Sequence, residues 1–134
     1  MRLTLFEAAG IRWFLPLEIV RHILPQPKVF PLPLLRPCFS GVLLYGGQIV
    51  PLLLLPLEEG GAMLKAPDFV LVCDTGIGPV GVPADRVERI TTDGEIASDV
   101  VASIDSGCDM CEIGGWRCRP LSLNRVLEAS ESSA

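Results

Sequence analysis

Residues 41–55 read Gly-Val-Leu-Leu-Tyr-Gly-Gly-Gln-Ile-Val-Pro-Leu-Leu-Leu-Leu. Two apolar arms flank the pair Gly46 and Gly47, and glycine can take the positive φ angles that a tight hairpin turn requires. The pattern therefore predicts a β-hairpin. Because both arms are almost entirely apolar, both of its faces are expected to be covered by a second sheet, a barrel interior or another protein.

Short apolar segments on either side of this hairpin predict further strands. They cover residues 3–6, 11–15, 69–73, 80–82, 87–91 and 116–121. Many short strands with Gly and Pro between them are typical of an all-β barrel or sandwich. The residues expected in strands, most of them buried, are Leu43, Val50, Leu52, Val70, Val72, Val82 and Trp116.

Little helix is predicted. Leu17, Val20, Ile23 and Leu24 follow Pro16 at helical spacing. They predict a short amphipathic helix that carries His22 and ends at the prolines that follow. Residues 25–37 contain five prolines and are expected to form an extended connector. A short helix or an irregular crossover is predicted within residues 96–104, and a short helix within residues 123–127.

Composition limits the classes of protein to consider. The chain has 134 residues, which suits a single domain, and its net charge is −5. An acidic chain without a basic run is a poor nucleic-acid ligand, so no nucleic acid is expected as a partner. The longest apolar run, residues 49–57, contains two prolines. It is far shorter than the roughly 20 residues of a membrane-spanning helix, and no signal peptide is evident, so a cytoplasmic location is expected.

The five cysteines raise the question of a metal or redox site. An odd number of cysteines in a chain without a secretion signal suggests reduced thiols. Cys108 and Cys111 have the spacing of metal ligands, but Cys118 supplies only a third thiolate. We expect no metal and no cofactor. A thiol- or metal-responsive regulator that uses these three cysteines is an alternative hypothesis.

One motif suggests an enzyme. Asp74-Thr75-Gly76 follows an apolar strand, as in aspartic proteases, where two such loops bring two carboxylates together. The chain carries one copy, so the protease hypothesis requires a homodimer that uses Asp74. The same three residues are also favourable turn residues between strands, and that reading predicts no catalytic residue.

Several motifs, in the same order along the chain, resemble the CheW-like domain family. The hairpin matches the family's Gly-Val-(Ile/Leu)-Asn-Leu-Arg-Gly-x-Ile-Val-Pro-Val-Ile-Asp-Leu pattern. The matching positions are Gly41, Val42, Leu43, Gly47, Ile49, Val50, Pro51 and Leu55. Residues 14–23 and 70–87 are similar to two further family segments, and residues 116–127 are similar to its closing strand and helix.

The resemblance implies a fold. CheW-like domains consist of two small five-stranded β-barrel subdomains packed side by side, with short helices and an apolar groove between the barrels. Residues 1–134 are then one such domain. The N-terminal strand together with about residues 69–134 is expected to form one barrel, and about residues 11–68 the other.

The resemblance also implies a function. Such domains are non-enzymatic adaptors in chemotaxis signal transduction, and they couple a chemoreceptor helix to a CheA-like histidine kinase. The partner-binding positions that the resemblance implies are Val20, His22, Gly41, Gly46, Gly47 and Val87.

Three polar positions of the family's hairpin have changed in this chain. Leu44, Gly46 and Leu54 stand where the family has Asn, Arg and Asp. Because glycine cannot replace the charged, multidentate recognition that arginine provides, these changes favour a divergent member that serves a related sensory system.

Overall fold

The computed structural model describes residues 2–31, 39–55, 67–76, 78–91, 111–113 and 115–123. These residues form ten strands and one 3₁₀ turn, Leu17–Ile19. The strands are β1 Leu3–Ala8, β2 Ile11–Pro16, β3 Val20–Pro25, β4 Phe39–Tyr45, β5 Gln48–Leu53, β6 Phe69–Thr75, β7 Gly78–Ala84, β8 Arg86–Ile90, β9 Cys111–Ile113 and β10 Trp116–Pro120. The fold is mainly β, as the sequence predicts.

The strands form two five-stranded sheets. The first sheet has the order β8-β1-β2-β10-β9, and the second has the order β3-β6-β7-β5-β4. Neighbours are antiparallel except for two pairs, β2 with β10 and β5 with β7. The predicted hairpin at residues 41–55 is present, with Tyr45 opposite Gln48 across the two-residue turn.

A continuous apolar layer joins the two sheets. We call it the inter-sheet cluster, and its buried members are Phe6, Ala8, Ile11, Trp13, Leu15, Leu53, Leu55, Leu71, Cys73, Val80, Val82, Ala84, Leu121 and Leu123. Each sheet also has a smaller core on its other face. Leu3, Leu5, Phe14, Ile113 and Cys118 form that of the first sheet, and Leu43, Val50, Leu52 and Val70 form that of the second. The predicted core residues all lie in strands, and all except the half-buried Trp116 are buried.

The amphipathic helix predicted after Pro16 is wrong. The chain makes only the short 3₁₀ turn and then enters β3, whose partner is β6. The i, i+3 spacing of the apolar residues is real, but the residues of β3 pair with a buried apolar strand instead. Long-range pairing therefore overrides the local helical pattern, and His22 lies in a strand.

The second point concerns the barrels. Within the described ranges the two predicted five-stranded units are present as sheets, and no ladder of hydrogen bonds closes either sheet. The chain after β3 does approach the edge strand β4, because Phe30 forms an isolated antiparallel bridge with Val42. Sheet membership also differs from the predicted residue ranges. β2 lies beside β1 in the first sheet, whereas β6 and β7 lie in the second.

Some predicted segments lie outside the described residues. These are the second half of the proline-rich connector, the helix within residues 96–104 and most of the helix within residues 123–127. The strand β9 has no counterpart among the predicted elements.

Candidate partner-binding surface

Two of the predicted contact residues belong to different sheets but border the same apolar cluster. Val20 begins β3 in the second sheet, and Val87 lies in β8 of the first sheet. Both are half-buried, and both pack against the inter-sheet cluster. The seam where the two sheets meet therefore presents partly exposed valines from both sides.

A shallow cavity of about 250 Å³ lies at the beginning of β3. It is lined by Leu17, Val20, Arg21, His22 and Ile23. Three of these five residues are apolar, and the other two are Arg21 and His22. The cavity therefore suits an apolar side chain.

His22 also joins the two edge strands of the second sheet. Its side chain is exposed, and its ring centroid lies 5.5 Å from that of Tyr45 in β4, with 49° between the ring planes. This is the tilted geometry that aromatic rings favour. Since Gly46 and Gly47 follow Tyr45 directly, the contact places His22 near the hairpin turn.

The two turn glycines adopt the conformation that the sequence predicts. Gly46 has φ +56° and Gly47 has φ +79°, and both are exposed. A Cβ atom at either position would meet no atom within 4 Å. Backbone conformation, and not space, therefore requires glycine at this turn.

Gly41 is different from the other predicted contact residues because it is buried inside β4. A Cβ atom at this position would lie 2.7 Å from the carbonyl oxygen of Phe30 and 3.2 Å from a methyl carbon of Val29. Glycine is needed here so that the chain after β3 can approach β4 closely.

An exposed apolar pair next to the turn was not among the predicted site residues. Leu44 and Ile49 are opposite each other across the hairpin, and they are 63% and 67% exposed. The other face of the hairpin buries Leu43 and Val50. The expectation that both faces are covered is therefore wrong within the described residues at this end of the hairpin. The sequence signal that could have identified this pair is the presence of apolar residues on both faces of the hairpin.

Asp74 occupies a hairpin and not a cleft. Asp74 and Thr75 are the last residues of β6, opposite Pro79 and Gly78 of β7. The Thr75 hydroxyl donates a hydrogen bond of 2.7 Å to the Gly78 carbonyl oxygen. The Asp74 carboxylate is exposed and lies 3.4 Å from the Arg21 guanidinium. Asp-Thr-Gly thus serves as turn chemistry in this chain.

The cysteines are distributed over several elements. Cys73 is buried in the inter-sheet cluster, where burial, assisted by the neighbouring Asp74 charge, raises the pKa of its thiol to about 12. Cys111 and Cys118 face each other across β9 and β10, whereas Cys108 lies outside the described residues. In the part of the chain that the structure describes, no three His, Cys, Asp or Glu residues group as a metal site would require.

The two-sheet fold and its apolar seam define a β-rich binding module. A model of the CheW-like domain matches residues 2–95 of the chain, which therefore belongs to the CheW-like domain family. This is a non-enzymatic scaffold and adaptor family, so the chain is not an enzyme.

A solved structure supports the fold. The chain is similar to the scaffolding protein TtCheW from Thermoanaerobacter tengcongensis, with a TM-score of 0.62 and 12% sequence identity. The match covers 88% of this chain and 81% of the TtCheW chain. No curated protein sequence matches significantly. None of the described helical segments is long and apolar enough to span a bilayer.

Proposed function

We propose that this chain is a cytoplasmic adaptor that couples a receptor to a CheA-like histidine kinase, in chemotaxis or in a related sensory system. Its work is to hold two proteins in a set relative position. Family membership and the similarity to a protein described as a scaffold support this role. The structural observation that supports it most is that Val20 and Val87, from separate sheets, are both half-buried and both pack against the inter-sheet cluster.

The seam suits the apolar face of a receptor helix. Half-buried valines leave apolar surface that a partner can remove from water, at roughly 25 cal/mol for each Å² buried. Helices commonly bind in this way, with apolar anchors in a groove and polar residues facing solvent. The cavity, which Val20 helps to line, offers a place for one such anchor.

The hairpin end suits a second protein, which we take to be the kinase. Leu44 and Ile49 present an exposed apolar pair, and Leu44 stands where the family's hairpin has Asn. Paired large apolar side chains on a surface are characteristic of protein contacts. We therefore expect the kinase surface that binds here to be apolar. An apolar contact of this kind fits a divergent member of the family that has a partner of its own.

Charge substitutions at the seam test the receptor part of this proposal. Val87→Arg and Ile23→Asp should each weaken binding of a purified cytoplasmic receptor fragment from the same organism by at least about tenfold, because a buried unpaired charge costs several kcal/mol. Ile90→Arg is the matched control, since Ile90 lies in β8 but is already 52% exposed. The measured affinity of each variant is corrected for the fraction of that variant that is folded, which its melting curve gives.

The hairpin is tested separately with the CheA-like kinase from the same organism. Leu44→Asp should weaken binding of this kinase without lowering the melting temperature, because Leu44 is exposed. The adaptor proposal is refuted if the wild-type chain binds neither the receptor fragment nor the kinase. It is also refuted if the seam variants lose receptor binding only in proportion to their loss of folded protein.

A further inference from the structure

Two cysteines lie side by side at one edge of the first sheet. Cys111 begins β9 and Cys118 lies in the middle of β10, and the register of this antiparallel pair places them directly opposite each other. Both side chains are on the same face of the sheet, because Cys118 belongs to its smaller core and Cys111 packs against that core. Directly opposed residues on one face are those whose side chains meet across two strands.

The register limits the distance between the two cysteines. Opposed residues of an antiparallel pair have Cα atoms about 4.5 or 5.5 Å apart, and a disulfide spans Cα atoms about 4.4–6.8 Å apart. The Cβ atoms of such residues are about 4.5–5.5 Å apart, whereas those of a disulfide are about 3.8 Å apart. A bond between the two sulfurs therefore requires the strands to approach each other by no more than about 2 Å.

The position of β9 permits this small movement. It has three residues and lies at the end of the strand order of the first sheet, next to β10. A short edge strand is held by few hydrogen bonds and can shift without moving the rest of the sheet. A disulfide that draws two strands together is strained, and strained disulfides are the more easily reduced ones. The geometry therefore suits a bond that forms and breaks reversibly.

The two thiols differ in their access to solvent. Cys111 is half-buried, so a small oxidant in solution can reach its sulfur. Cys118 is fully buried. Since reactivity in thiol–disulfide exchange depends on access, Cys111 is the thiol that reacts first, and Cys118 is the one placed to displace the oxidant.

Cys73 provides an internal comparison. It lies in the second sheet, where its partners across β3 and β7 are Val20 and Val80. It is also buried, and burial raises the pKa of its thiol to about 12. Cys73 therefore has neither an opposed thiol nor the exposure that Cys111 has.

We propose that Cys111 and Cys118 form a reversible disulfide in the presence of a small disulfide oxidant, and that this bond fixes β9 to β10. The Cys111 thiolate attacks one sulfur of the oxidant, which forms a mixed disulfide and expels one thiolate. The Cys118 sulfur loses its proton and attacks the Cys111 sulfur, which expels the second thiolate. The two cysteines lose two electrons and two protons, and the oxidant becomes two thiols. A dithiol reductant reverses both steps.

The bond changes how the edge of the sheet opens. With both thiols reduced, β9 can separate from β10 by itself, since strand ends and edges open with little free energy. With the disulfide formed, the two strands stay joined at Cys111 and Cys118, so the amides of β9 exchange only through larger openings. This inference concerns the protein alone and does not depend on a receptor or a kinase.

Disulfide mapping tests the bond. The full chain is incubated with glutathione disulfide, digested without reduction and analysed by mass spectrometry. A peptide pair joined through Cys111 and Cys118 is expected, and it should persist in Cys108→Ser. Cys118→Ser should lack the bond and retain glutathione on Cys111. If Cys118→Ser does not fold, Cys111→Ser serves in its place and should also lack the bond. A bridge between Cys108 and Cys111, or wild-type protein that stops at the mixed disulfide, would overturn the proposal.

Hydrogen exchange tests what the bond does to the strand. Protection of the Glu112 and Ile113 amides should rise by at least about tenfold on oxidation and return on addition of dithiothreitol. The amides of the β4–β5 hairpin, in the other sheet, should not change and serve as the control. Equal protection of β9 in the oxidised and reduced chains would refute the fixing of β9, whatever the outcome of the receptor and kinase experiments.

Discussion

The rings of His22 and Tyr45 connect the two edge strands of the second sheet, with their centroids 5.5 Å apart. The bridge between Phe30 and Val42 joins the chain after β3 to β4. Together these contacts bring β3 close to β4, although no continuous ladder joins them within the described ranges. The cavity lined by residues of β3 is thereby held near the hairpin turn.

His22→Ala should lower the free energy of unfolding by about 0.5–1 kcal/mol, because an aromatic pair contributes about that much beyond area burial. Urea denaturation measures the change. Gln48→Ala is the control, since Gln48 is exposed and lies opposite Tyr45. Equal effects of the two substitutions would show that the ring contact does not stabilise the sheet.

Gly41→Ala should destabilise the fold by about 1–3 kcal/mol, the usual cost of forcing additional atoms into a packed site. The new methyl group would clash with the Phe30 carbonyl oxygen, which belongs to rigid backbone. Gly76→Ala is a suitable control because a Cβ atom there would meet nothing within 4 Å. Thermal melting of both variants should separate them, and a wild-type melting temperature for Gly41→Ala would contradict the close approach.

Gly46→Arg, which restores the family's arginine, should fold but lose about 1 kcal/mol of stability. The cost arises from the positive φ of Gly46 and not from a clash. Gly46→Asn should lose less, because asparagine tolerates this conformation better. Equal melting temperatures for the arginine, asparagine and wild-type chains would mean that the turn adopts another conformation in solution.

Cys73 should be inert to alkylation in the folded chain at pH 8. Its thiol is buried and its pKa is raised to about 12, so almost no thiolate is present. In urea the same thiol should react rapidly, since its pKa then returns toward 9.0. Mass spectrometry of iodoacetamide-treated protein measures both states, and rapid labelling of Cys73 without urea would contradict its burial.

Asp74→Asn should change stability by no more than about 0.5 kcal/mol, because its ion pair with Arg21 is exposed to solvent. Asparagine retains the turn chemistry of the β6–β7 hairpin. Neither the wild-type chain nor the variant should cleave a peptide library at acidic pH. Peptidase activity that disappears with Asp74→Asn would revive the protease hypothesis.

Much of the fold could be predicted because its signals are local. The Gly46–Gly47 turn and its apolar arms specify a hairpin within fifteen residues, and residues 69–82 specify another in the same way. The ordered motifs of the CheW-like family extend over most of the chain, so the family was also evident from the sequence. These features depend on local backbone preferences and on the alternation of apolar residues along a strand, and neither requires knowledge of distant residues.

Pairing between distant residues decided the rest. Residues 20–25 carry a helical pattern, yet they form a strand because β6 offers an apolar partner about 50 residues away. Leu44 and Ile49 are exposed on one face of the hairpin, and Leu43 and Val50 are buried on the other. Which face is buried depends on the remainder of the chain that covers it. The side chain of Glu88 in β8 is only 6% exposed, and it lies at a bulge against β1, about 80 residues earlier in the chain. A sequence specifies which residues are apolar or charged, but solvent exclusion and charge coupling arise only when the sheets assemble.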